Sequence, residues 1–320
     1  MSLRLVNGVF GDPLLLVEMR NVRGRLLFDL GEGTQLSRRV LHTVNDVFIT
    51  HAHFDHICGF LTLLRARMTG RYPPCRLFGP PGLAGHVAGF LAGICWDRIE
   101  DLGPVFDVAE VHASYVSWRR LQAGREAVRL ADQPRPDATV ARTSGYRVSA
   151  VTLDHGVPVL AYALELAPEH HLREDALAAF DLTPGPWIRE LKRLLQNGAA
   201  DGLIDLGTGR RERAASLQAR VLTTVPGPRL VYATDFADTV VNRRAVADLA
   251  GGADLLLCES CFRQTDRDQA AATQHLTTDA CAAIAAAAGV KRLVPIHFSK
   301  RYSRDVAPVY AELRAALGSV

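Results

Sequence analysis

The chain reads as an α/β protein in which two sheets pack face to face with helices outside. Three observations predict this. Strand-like apolar runs crowd the start of the chain, as in hairpins. Strands and helical patterns then alternate. A hydrophobic content of 48% over 320 residues is enough for a large core and too much for a disordered chain.

In chain order, residues 14–19, 25–30 and 47–50 have strand patterns, and 57–68 and 83–93 have helical spacing. Strands follow at 146–153, 159–166 and 229–234, then a helix at 242–250, a strand at 253–258, a helix at 278–289, a strand at 293–297 and a helix at 304–317. Two segments break this order. Residues 95–145 hold few clean periodic runs, and Arg135-Pro136 with its polar neighbours predicts an exposed loop. Residues 167–200 interrupt the alternation with Thr183-Pro184-Gly185-Pro186, ahead of Trp187-Ile188-Arg189-Glu190-Leu191-Lys192-Arg193. Proline near a first helical turn starts a helix, so a capped surface helix is one reading there.

Six cysteines, irregularly spaced, include a single C-x-x-C at Cys258 and Cys261. No second pair completes a zinc site, and packing at a strand end is the expectation. Met1-Ser2-Leu3-Arg4 leads into a strand pattern, so no secretory leader is expected and a reduced, cytoplasmic setting follows. The apolar run at 280–290 is too short to span a bilayer, which argues against a membrane protein. The formal charge of +3 does not announce a nucleic-acid binder, so a local basic face would have to do that work.

Thr50-His51-Ala52-His53-Phe54-Asp55-His56 is where chemistry concentrates. Imidazole nitrogen and carboxylate oxygen are ligands for zinc and similar ions. The cluster falls between a buried strand pattern and a helical one. In an extended loop, side chains two apart point the same way, so His51 and His53 can grip one ion. Asp55 and His56 begin the helix and turn toward a second position, where the partly positive helix start favours an ionised Asp55. Four ligand-type residues in this order are not explained as solvated surface groups.

The pattern is the H-x-H-x-D-H signature of the metallo-β-lactamase superfamily, and further segments narrow the resemblance. Asp29-Leu30-Gly31-Glu32-Gly33-Thr34-Gln35, Asp154-His155-Gly156, Thr234-Asp235, Cys258-Glu259-Ser260-Cys261-Phe262, Gln274-His275-Leu276-Thr277 and His297-Phe298-Ser299-Lys300-Arg301-Tyr302 resemble, in order, the motifs of ribonuclease Z, a tRNA 3′-processing endonuclease. The resemblance implies the superfamily's αββα sandwich as a single domain over 1–320, with 167–200 as an inserted arm. It implies two divalent ions, with zinc expected: His51, His53 and His155 on one, Asp55, His56 and His297 on the other, and Asp235 bridging. Two ions about 3.5–4 Å apart clamp an in-line displacement at phosphorus. Asp55 would serve as general base and His275 as general acid oriented by Glu259. Asp29 is expected to brace the ligand loop by hydrogen bonds rather than bind metal. The arm would bind the tRNA body through Pro184, Gly185 and Pro186, with Arg189, Lys192 and Arg193 on phosphates. The family also implies a homodimer.

Val6-Asn7-Gly8-Val9-Phe10-Gly11-Asp12-Pro13 lacks the family's basic N-terminal loop, Cys258 stands in place of a histidine, and Leu276 in place of a serine. These departures leave the ligand set intact. Precursor tRNA is the first expected substrate. A hydrolase of small phosphodiesters, such as cyclic nucleotides, is the alternative, and a non-catalytic RNA-binding relative is the alternative from another class.

Overall fold

A computed structural model describes every residue except 21, 23, 69, 100, 101, 197, 208, 319 and 320. Strands Ser2–Leu5, Leu15–Glu18, Arg25–Phe28, Val44–Phe48, Cys75–Gly79, Val105–Val111, Tyr115–Gln122 and Val128–Pro134 form one sheet in sequence order. Its middle pairings, from Arg25–Phe28 across to Val105–Val111, are parallel, and the flanking ones antiparallel. A second sheet has the order Leu293–Ile296, Leu255–Glu259, Arg229–Ala233, Pro158–Leu166, Tyr146–Asp154, Thr139–Arg142.

Register explains how the sheets stack. Phe28, Phe48 and Phe78 are cross-strand partners, and the same row continues through Ala109 to Trp118. Neighbouring rings in it lie 5.1 Å and 4.9 Å apart. Tyr162 and Tyr232 of the second sheet meet this row, 5.4 Å from Phe48 and 5.7 Å from Phe28. Such pairs add about 0.5–1.5 kcal/mol each beyond the area they bury. Because side chains alternate along a strand, the next row (Leu27, Val47, Leu77, Val108) faces the other way. It packs with Phe60, Leu63, Leu64, Leu83 and Val87 of helices Phe60–Arg67 and Leu83–Ala92. On the second sheet, Val231, Ala233, Leu256 and Cys258 pack with helices Val240–Ala250, Thr278–Ala288 and Ala307–Gly318. The layers are therefore helix, sheet, sheet, helix, the αββα arrangement expected.

Two expectations need correction. Residues 95–145 are not an exposed loop. They carry Val105–Val111, Tyr115–Gln122, Val128–Pro134 and Thr139–Arg142. The edge strand Val128–Pro134 is almost wholly exposed, so it has no apolar alternation to read. Arg135 is half-buried and donates to the carbonyls of His112 and Ala138. The helix expected at 57–68 is broken into Phe54–Ile57 and Phe60–Arg67. Gly59 lies between them, its N–H donating to Leu30 O at 2.8 Å, and a Cβ there would overlap the Gly31 carbonyl.

The chain divides into two compact units. One comprises Met1–Val140, Val148–Ala163 and Leu230–Val320; the other comprises Ala141–Arg147 and Leu164–Arg229. The second has its own core of Ala176, Leu177, Trp187, Leu191, Ile204, Leu217, Val221 and Leu222. In it, Glu169–Leu172 pairs with Leu222–Val225, alongside helices Glu174–Ala179, Trp187–Gln196 and Ala214–Val221. Segment 167–200 lies within this unit, which extends to 229.

Candidate metal centre

The site assembles where strands of the first unit end. Past Val44–Phe48, the Ile49 carbonyl accepts from Tyr162 OH at 2.7 Å and the Thr50 carbonyl from Leu160 N at 3.0 Å. Both fix the backbone that presents His51 and His53. Asp29, just past Arg25–Phe28, sits at the centre of the support. Its Oδ1 accepts from Thr50 N (2.7 Å) and Thr50 Oγ1 (2.9 Å), and its Oδ2 from His56 Nδ1 (2.9 Å) and Tyr232 OH (3.0 Å). One buried carboxylate thus joins a strand end, a helix start and the second sheet, the bracing role expected of it.

Asp29, Asp235, Gln274 and His297 all have φ near +58°. Among the described residues only one other non-glycine, Asp181, has a positive φ. Asp29 and His297 come immediately after strands and Asp235 two residues after one, whereas Gln274 caps the end of helix Arg267–Thr273; each left-handed conformation costs about 1–3 kcal/mol. Three of the four carry a carboxylate or imidazole of this site, and the fourth, Gln274, offers its carbonyl to His155.

Two ligand sets result. Ligand atoms of His51, His53 and His155 lie within 4.8 Å of one another, and so do those of Asp55, His56, Asp235 and His297. Asp235 Oδ2 is 3.1 Å from His56 Nε2 and 3.9 Å from His51 Nε2, so one oxygen reaches both sets. In two of the imidazoles the second nitrogen is spoken for. His155 Nδ1 donates to the Gln274 carbonyl at 2.8 Å and His56 Nδ1 to Asp29, leaving each Nε2 to face the centre. His51 Nε2 is buried and, among the described residues, has no hydrogen-bond partner.

Burial, with His56 beside it, pushes the His51 imidazole down to about 2, so it stands as a neutral donor. Burial by itself would raise Asp55, but hydrogen bonds from His297 and His56 hold its carboxyl below the usual range. Burial also opposes protonation of His275, yet the Glu259 carboxylate outweighs it and holds the imidazole above its ordinary value. Glu259 is fully buried. Its Oε2 accepts from His275 Nδ1 at 3.0 Å and Leu276 N at 3.1 Å, and its Oε1 from Phe236 N at 2.7 Å. The His275 ring lies 4.9 Å from that of His155 and 5.3 Å from that of His297, against both sets.

All the sequence-predicted ligands, with His275 and Glu259, are brought together. Pro184, Gly185, Pro186, Arg189, Lys192 and Arg193 are in the second unit. Gly185 O and Pro186 O accept the first hydrogen bonds of helix Trp187–Gln196, and Trp187 is buried in that unit's core. Arg189 is exposed and Lys192 half-buried, while Arg193 pairs with Glu190 through two hydrogen bonds, of 2.8 Å and 2.5 Å.

Sequence reasoning missed Thr50, Tyr232 and the Gln274 carbonyl as supports. Tyr232 lies three residues before Asp235, but nothing local marks it. It also missed that Cys261 lies with His275 and His297. In the closing motif, Arg301 and Tyr302 both bond Asp266, bracing the loop after Cys261 rather than entering the centre.

Residues 15–74 match the metallo-beta-lactamase superfamily model, and residues 202–298 match a beta-lactamase superfamily domain model. Over 284 residues the chain is 35% identical to ribonuclease Z of Deinococcus radiodurans, covering 87% of this chain and 83% of that one. Over 302 residues it is 32% identical to ribonuclease Z of Kineococcus radiotolerans, covering 92% and 80%. The solved structure of the short form of human tRNase Z superimposes with a TM-score of 0.53 at 17% identity, covering 92% of each chain, a likeness of fold. With the sequence motifs, the layered fold and these relatives in agreement, the chain belongs to the ribonuclease Z family, metal-dependent endoribonucleases of the metallo-β-lactamase fold.

Proposed function

We propose that the protein hydrolyses precursor tRNA on its 3′ side, leaving a 3′ hydroxyl, with two zinc ions in the centre. The observation that carries this reading is the pair of ligand sets joined by Asp235, with a carboxylate-held imidazole against both. His51, His53 and His155 would hold one ion; Asp55, His56 and His297 would hold the other; Asp235 would serve both. The donor chemistry fits. Neutral imidazole and carboxylate oxygen suit zinc, and a buried carboxylate and an orphaned buried nitrogen are stabilised by a cation between them. Bound there, the ions would supply Lewis acidity that brings the pKa of water down to about 7.

The chain's own groups supply the rest. Asp55, ionised at the mouth, accepts the proton of the attacking water. His275 donates a proton to the departing 3′ oxygen, a contribution usually worth about 10²–10⁴-fold. Glu259 fixes which ring nitrogen faces the phosphate, because it holds Nδ1 as a donor. In the second unit, Pro184, Gly185 and Pro186 set the start of the helix that offers Arg189 and Lys192 to tRNA phosphates, with Arg193 partly offset by Glu190. A cytoplasmic homodimer completes the reading. The six cysteines are free thiols, as a reducing compartment keeps them, and among the described residues no helix is long and apolar enough to cross a membrane.

The test is to incubate zinc-loaded protein with precursor tRNA and with bis-p-nitrophenyl phosphate, map the RNA ends and measure bound metal. A single cut on the 3′ side with a 3′ hydroxyl is expected. Hydrolysis of the small diester without any RNA cut would move the assignment to small phosphodiesters; metal-free, inert protein would overturn both.

A further inference from the structure

The ligand motif contains one side chain that nothing so far uses. Phe54 stands between His53 and Asp55, which belong to opposite ligand sets, and is 79% exposed. Its backbone carbonyl accepts from Cys58 N, but among the described residues its ring has no aromatic partner. Burying a phenylalanine is worth about 1.5–3 kcal/mol to a fold, and here that gain is forgone. Single exposed apolar residues are ordinary on protein surfaces. This one differs in place, one residue from each of two groups that belong to the candidate metal centre. Exposed apolar groups follow two other ligand-type residues too: Val157 two residues after His155, and Val240 and Val241, which open helix Val240–Ala250 shortly after Asp235 and are 82% and 77% exposed.

We propose that Phe54 is a stacking platform for the nucleobase next to the scissile phosphate, with the valines forming an apolar rim for the unpaired RNA strand. The inference rests on the reading of the centre as an RNA phosphodiesterase. Every base offers a π-face, so an aromatic platform tolerates sequence while fixing where the backbone lies. Sequence-specific hydrogen bonding would need polar groups, and the rim has none at these positions. Loss of one base stack lowers affinity by about 5- to 150-fold.

Three variants of the full, zinc-loaded protein test this. F54A should raise KM for precursor tRNA within that range, with the loss carried by KM rather than kcat and with metal content retained. A structural role would instead lower kcat and metal content together. F54Y should restore KM. F54W, read against wild type for its native tryptophans, should show saturable quenching by short single-stranded oligoribonucleotides, purine-rich and pyrimidine-rich alike. A wild-type KM for F54A, or F54W emission indifferent to saturating oligoribonucleotide, would overturn the proposal. If the wild type cuts no RNA, the functional reading falls, and F54W quenching still decides the stacking.

Discussion

Asp29→Asn separates the support of the centre from its ligands. The change is nearly isosteric, and asparagine tolerates the left-handed φ of 58° at this position. What changes is hydrogen-bond polarity. Asp29 accepts from Thr50 N, Thr50 Oγ1, His56 Nδ1 and Tyr232 OH. An amide has one accepting edge and one donating edge, so on either flip a buried donor faces a donor. If the amide nitrogen faces His56, the imidazole must shift its proton to Nε2 to accept at Nδ1, and its lone pair toward Asp55 and Asp235 is lost. If the nitrogen faces Thr50, the strand end carrying His51 is left with an unpaired N–H. An unsatisfied buried donor costs about 1–3 kcal/mol, or roughly 5- to 150-fold in affinity at the ion site. This agrees with the 10–100-fold usual for loss of a group that orients a ligand. The assay is zinc titration by calorimetry, with turnover of bis-p-nitrophenyl phosphate alongside. One zinc-binding step should weaken by that factor, and activity should fall with it at limiting zinc. Two ions bound with wild-type affinity and activity would refute the claim that Asp29 sets the His56 tautomer.

Asp235→Asn keeps the backbone strain but weakens the oxygen that reaches both ligand sets; metal analysis should show loss at both positions, and loss of only one ion would remove its bridging role. His275→Ala should retain metal and lose about 10²–10⁴-fold in kcat on RNA, with a smaller loss on bis-p-nitrophenyl phosphate, whose leaving group needs no proton; equal losses would exclude the general-acid role. Arg189→Ala and Lys192→Ala should each raise KM for precursor tRNA and flatten the salt dependence of binding by about 1 in slope. Arg193→Ala should do less, because Glu190 already engages that guanidinium; a larger effect from Arg193 would show that the pair opens on binding.

By itself the sequence determined the layered fold and the chemical identity of the centre. Strand and helix periodicity are local, because each reports which face of one element is buried. His51, His53, Asp55 and His56 are legible for the same reason: coordination depends on residue type and on a few residues of spacing at a strand end. What joins those groups is not local. His56 and Asp235 stand 179 residues apart, and the positive-φ turns at Asp29, Asp235, Gln274 and His297 have no glycine to announce them. Tyr232 reads as an ordinary strand residue until the two sheets stack and bring its hydroxyl to Asp29. Strand Val128–Pro134 is almost wholly exposed and held by backbone pairing rather than by a buried face, so that part of residues 95–145 has no apolar alternation to read. In the second unit, the basic helix reads as three free cations, and only the folded side chains show Arg193 closed onto Glu190. Side-chain pattern records which surfaces leave water; which buried donor meets which acceptor is settled only when distant elements come within hydrogen-bonding distance, because that choice is made by geometry across the core.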